Sequence, residues 1–179
     1  MAKFPAWTVG KRVDATSLDQ GIPNIVTKAS ATTITSNTTL ANDSELTGIS
    51  LGVGTWEIEV ELWVTGSGAS TTSGLKTAWA FATGTLTGTP NRACHGPVAT
   101  NTAAPATAVM FDSVIAYTTS TQPYGLGSTA LPFHVVTEKC PNFVVATTGT
   151  FSVQVAQNTS SATSTVIQPG SRVKCRQIA

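Results

Sequence analysis

Between Leu40 and Val64 the chain reads LANDSELTGISLGVGTWEIEVELWV. In its second half Trp56, Ile58, Val60, Leu62 and Val64 alternate with Glu57, Glu59, Glu61 and Trp63. A period of two marks a strand with one buried face. The pattern predicts a short strand over Leu46–Leu51, a tight Gly turn and a long strand over Thr55–Thr65. Leu75–Ala82 repeats the alternation, with Leu75, Thr77, Trp79 and Phe81 set against Lys76, Ala78, Ala80 and Ala82. Further strands are expected over Ile25–Ser30, extended by Thr33–Thr38, and over Ala108–Thr118, Leu131–Thr137, Asn142–Thr147, Thr150–Gln157, Ser164–Ile167 and Arg172–Ile178. Gly66–Gly74 and Ser120–Thr129 read as loops, and Pro169-Gly170 as a turn. Gly84–Pro105 shows no clear period. Eight to ten short strands with turns between them, and no long helical period, predict an all-β antiparallel sandwich or jelly roll.

Residues 1–23 differ from the rest of the chain. They carry Lys3, Lys11 and Arg12, and the apolar side chains Phe4, Trp7, Val13 and Leu18, without useful periodicity. Asp14 is placed to cap a turn of helix over Ala15–Gln20, closed by Gly21 and Pro23. We expect an arm here and a single β domain over 24–179. Aromatic residues in an arm call for a surface to cover them, so Phe4, Trp7, Lys11, Arg12 and Leu18 are the expected anchoring residues.

Against a chain with only 11% charged residues, two runs stand out. Glu57, Glu59 and Glu61 share one face of the long strand. Arg172, Lys174 and Arg176 share one face of the last, alternating with Val173 and Cys175. Carboxylates two residues apart stand only ~7 Å from each other and repel. Cations on a neighbouring antiparallel strand would cancel that repulsion, with Glu57 nearest Arg176 and Glu61 nearest Arg172. Such pairs fix register more than they stabilise, since a one-residue slip would bury charge. A cation site or an acid–base pair is the alternative use of three carboxylates. Calcium sites draw on loop carbonyls, however, and glycosidase pairs face each other across a cleft. Trp63 lies out of phase with Trp56, on the Glu face, where it suits a subunit interface. Trp56 and Trp79 are in core phase, although sugar stacking is an alternative for exposed Trp.

Net charge is +1 with no basic run, which argues against nucleic-acid binding. No window approaches the length of a membrane span, and the N-terminus has no apolar stretch of signal-peptide length. Cys94, Cys140 and Cys175 are odd in number and widely spaced, so free thiols are expected, and no disulfide framework or zinc site. His95 follows Cys94 in a loop-like segment. A Cys–His dyad needs converging side chains, which sequence neighbours rarely supply, so packing of the loop by Cys94 is the plainer reading. No G-x-S-x-G, Walker, Rossmann or H-E-x-x-H motif occurs. No enzyme and no cofactor or metal is expected.

The Leu40–Val64 block is similar to a segment of bacteriophage virion proteins, in which an L-x-D-x-E-L run and a short strand precede G-T-Y/W-x-x-E. TVGKRVDATSLD near the start, LKTAW at Leu75–Trp79 and QNTSSATST before the last strand resemble further parts of the same proteins. Gly84–Thr129 matches none of them. The resemblance implies a tumour-necrosis-factor-like (TNF-like) jelly roll forming a homotrimer, with the last strand beside the long one. It implies a head decoration or head-fibre protein on the capsid surface, made in the host cytoplasm, with the major capsid protein as partner. A minor tail protein or a module recognising host cell-surface glycans is the alternative. The family implies no catalytic residues.

Overall fold

The computed structural model describes residues 22–66, 74–97, 110–117, 121–126 and 134–179. The expected arm, and with it Phe4, Trp7, Lys11, Arg12 and Leu18, lies outside the described residues. No helix occurs among them. In chain order the strands are β1 (Asn24–Thr27), β2 (Thr32–Ile34), β3 (Ala41–Asn42), β4 (Ile49–Leu51), β5 (Gly54–Gly66), β6 (Leu75–Ala82), β7 (Thr85–Leu86), β8 (Asn91–Pro97), β9 (Met110–Ala116), β10 (Gln122–Tyr124), β11 (His134–Thr147), β12 (Gly149–Gln157), β13 (Thr165–Ile167) and β14 (Arg172–Gln177).

They form two antiparallel sheets packed as a β-sandwich. The larger, of nine strands, runs β1-β14-β5-β11-β8-β9, with β13 bridging β2 and β5, and β7 beside β11. The smaller, of five, runs β10-β6-β12-β3 with β4 also on β12. β5 is the hub of the larger sheet. Its alternation sends Ile58, Val60, Leu62 and Val64 inward, each with no exposed surface. Facing them, Trp79 of β6 meets Phe151 of β12 edge to face at 5.1 Å; beside them in the larger sheet, Phe143 of β11 meets Tyr117 at 5.3 Å in the same manner. Each such pair contributes roughly 0.5–1.5 kcal/mol beyond its buried area. Trp56 is half-buried at the rim of this core and donates its Nε1–H to the Gly52 carbonyl at 2.8 Å.

Three expectations need correction. Leu131–Thr137 and Asn142–Thr147 are not two strands. His134–Thr147 is continuous, and the register against β5 shifts between Cys140 and Phe143, a bulge that absorbs Pro141 without ending the strand. The segment without a period contains β7 and β8. Ser120–Thr129, read as a loop, contains β10, which pairs with β6 through Gln122↔Thr77 and Tyr124↔Leu75.

Candidate functional site

The solvent face of the larger sheet gathers the charged residues in transverse rows. One row runs Ile25, Lys174, Glu59, Lys139, Ala93, Val114 across β1, β14, β5, β11, β8 and β9. The next runs Thr27, Arg172, Glu61, Thr137, His95, Asp112. Arg176 stands opposite Glu57. Two of these pairs close as ion pairs, Arg172–Glu61 at 3.0 Å and Arg176–Glu57 at 2.5 Å. The middle rung differs from the two-strand ladder. Lys174 is in register with Glu59, but the ion pair of Glu59 is with Lys139 on its other side, at 3.4 Å. Positive, negative and positive side chains therefore cross three strands in one row. Lys139 was missed because Thr137, Lys139 and Pro141 do not alternate with a clear apolar set.

Beside the rows, Trp63 and Val135 are cross-strand partners and both are exposed. Trp63 donates its indole N–H to Glu61 at 2.9 Å, so the ring is tied to the ladder. Gly170, at φ +90 in the turn before β14, lies under the ring, where an added Cβ would come 3.6 Å from it. A φ of that sign suits Gly and strains other residues.

Farther along the same face a shallow cavity of about 480 Å³ lies over β11, β8 and β9. Its lining includes Ala93, His95, Asp112, Val114, Thr137 and Lys139. His95 Nδ1 lies 2.7 Å from Asp112 Oδ1, with both side chains in solvent. His95 is thus on a strand, not in a loop. Cys94, its neighbour in β8, points into the core, so the two side chains diverge and form no dyad. Burial and the nearby Glu138 carboxylate push the Cys94 thiol up to about 11. Cys140 and Cys175 are also buried and free, and burial raises the Cys175 thiol to about 12. Raised, enclosed thiols are poor nucleophiles.

Two buried polar clusters have no counterpart in the sequence reading. In the first, Arg92 of β8 donates to Glu138 of β11 at 2.6 Å and to the Thr77 carbonyl at 3.2 Å, and its guanidinium lies over the Trp79 ring at 5.5 Å. The Thr77 hydroxyl and the Tyr124 hydroxyl both donate to Glu138. The ion pair is fully buried within the larger sheet, and the hydrogen bonds of Thr77 and Tyr124 tie it to the smaller one. Gly96 makes room for it: a Cβ there would stand 2.6 Å from the Tyr124 ring.

The second cluster joins the ends of β1 and β3. Lys28 Nζ lies 3.0 Å from Asp43 Oδ1, both side chains fully buried, and 3.7 Å from Glu45 Oε1. Asp43 Oδ1 also accepts the backbone N–H groups of Glu45 and Leu46, each at 3.0 Å. Burial by itself would raise the Asp43 carboxyl; those N–H groups and Lys28 outweigh it and hold the carboxyl below its ordinary value. Glu45 in turn accepts the N–H groups of Ala29 at 2.6 Å and Ser30 at 2.9 Å. One signal was visible: Lys28 shares the phase of Val26, the inward residue of β1.

Among the described residues no cluster of His, Cys, Asp and Glu is arranged to hold a metal ion. Compared with protein-family models, with curated proteins and with solved structures, the chain finds no match.

Proposed function

We propose that the protein is a structural component of a bacteriophage virion, a capsid decoration or head-fibre protein. In this reading residues 1–23 anchor it to the major capsid protein, and the sandwich, a TNF-like jelly roll, forms a homotrimeric knob. The sequence resemblance supplies the class. The observation that carries the reading on this chain is the face of the larger sheet. There the exposed Trp63–Val135 pair adjoins rows in which Glu57, Glu59 and Glu61 each have an ion-pair partner. Aromatic surface beside carboxylates already paired within the subunit suits contact with another copy, because burying it strands none of the three Glu side chains.

The glycan-binding alternative is less well supported. Carbohydrate recognition favours a platform of Trp or Tyr, and the lining of the cavity over β8 and β9 includes no Trp, Tyr or Phe among the described residues. The deciding experiment is cryo-electron microscopy of the particle together with sedimentation equilibrium of the purified protein. Density on the capsid lattice and a trimer mass are expected. A tail location or a monomer at micromolar concentration would overturn the reading.

A further inference from the structure

We propose that Lys28 and Asp43 form an intramolecular amide crosslink, with Glu45 as the proton carrier. The cluster holds the parts such a condensation needs. The nucleophile, Lys28 Nζ, already touches the carboxyl group it would attack, 3.0 Å from Oδ1, in a site that excludes solvent from both side chains. Oδ1 is held by the N–H groups of Glu45 and Leu46 at 3.0 Å each, two donors aimed at the oxygen that becomes an oxyanion when Cγ turns tetrahedral. The other oxygen, Oδ2, is buried with no hydrogen-bond partner among the described residues, so nothing retains it as a leaving group. Glu45 Oε1 lies 3.7 Å from Nζ, and its carboxylate is oriented by the Ala29 and Ser30 N–H groups.

The resting state is the ion pair, and the reaction proceeds through its neutral form. Glu45 takes one proton from the Lys28 ammonium and delivers it to Asp43 Oδ2, leaving a neutral amine and a neutral acid in place of two buried charges. The Nζ lone pair forms the N–Cγ bond and the carbonyl electron pair moves onto Oδ1. A second proton then passes from nitrogen through Glu45 to the Oδ2 hydroxyl. The Cγ–Oδ2 bond breaks, water leaves, and the pair on Oδ1 restores the carbonyl. One ammonium and one carboxylate become one amide and one water, so charge and atoms balance without any other reactant. The product keeps both backbone hydrogen bonds to Oδ1 and removes two buried charges.

The location gives the bond a purpose. β1 is an edge strand of the larger sheet and β3 an edge strand of the smaller, so the amide would clamp the two layers together at one open side.

The test is peptide mass spectrometry of the purified, incubated, then denatured protein. Trypsin does not cut after an amidated Lys. The proposal expects the fragment Val13–Lys76 intact and lighter by one water, with fragmentation placing the branch between Lys28 and Asp43. Glu45→Gln should lower its yield at least tenfold. Cleavage after Lys28 with unaltered fragment masses would overturn the proposal. So would a loss of water that persists in Lys28→Arg, which would mark a succinimide at Asp43. The unsubstituted chain decides the first outcome even if a variant fails to fold.

Discussion

Glu138 occupies a core position of its strand, in phase with His134, Val136 and Cys140, all of them buried. It is tolerated there because Arg92, Thr77 and Tyr124 all donate to it. Removing one partner of such a pair leaves the other charged and dry. We expect Arg92→Met to cost roughly 3–5 kcal/mol in urea denaturation. A cost below about 1 kcal/mol would mean that water reaches Glu138. The thiols make a second residue-level prediction. Cys175 titrates near 12 in the fold against an ordinary value of 9.0. Between those values the unfolded chain has released its proton and the folded one has not, so stability falls as pH rises from about 9 toward 12. Urea midpoints on either side of pH 9 should fall with pH, less steeply in Cys175→Ala than in the unsubstituted chain. All three thiols should resist a thiol-specific dye until the protein is denatured.

At the scale of the elements, the charged rows test how far pairing reaches across strands. Glu59 lies between Lys174 and Lys139. Glu59→Lys would set three cations in one row, and at this exposure we expect a loss of about 1 kcal/mol. In double-mutant cycles, coupling should be larger for Glu59 with Lys139 than with Lys174; the reverse order would assign the rung to β14. How much could be read from the sequence depends on the alternation of each strand. β5, β6, β12 and β14 alternate cleanly, and the opposition of Glu57/Glu59/Glu61 to Arg176/Lys174/Arg172 needed only that alternation and chain direction. β8 was invisible, because Asn91–Pro97 puts Arg92 and Gly96 on its inward face and Ala93 on its outward face. Arg92 in particular looks like a surface residue until its partner, 46 positions away, is known. β11 read as two strands, and the bulge between Cys140 and Phe143 makes them one. The Lys28–Asp43–Glu45 cluster showed only the inward phase of Lys28, since its residues meet only when the ends of β1 and β3 are brought together.

For the whole molecule, the proposed arm and knob should be separable. Deleting Met1–Pro23 is expected to leave the melting temperature within a few degrees of its value while abolishing binding to particles that lack the protein. A large drop in melting temperature would place those residues in the core. The arrangement of β5 has a further consequence, for the order of events during synthesis. Its neighbours are β11, β13 and β14, so Gly54–Gly66 has no partner until residues 134–177 have been made. During translation its two long edges and the row Ile58, Val60, Leu62 and Val64 stay uncovered, the kind of segment that pairs with copies of itself. Folding is therefore a late event dominated by contacts distant in sequence, with rates on the order of milliseconds to seconds. A chain stopped before Arg172 would leave the stretch Trp56–Glu61 of its central strand open on one side, and would be lost to aggregation before it was lost to instability.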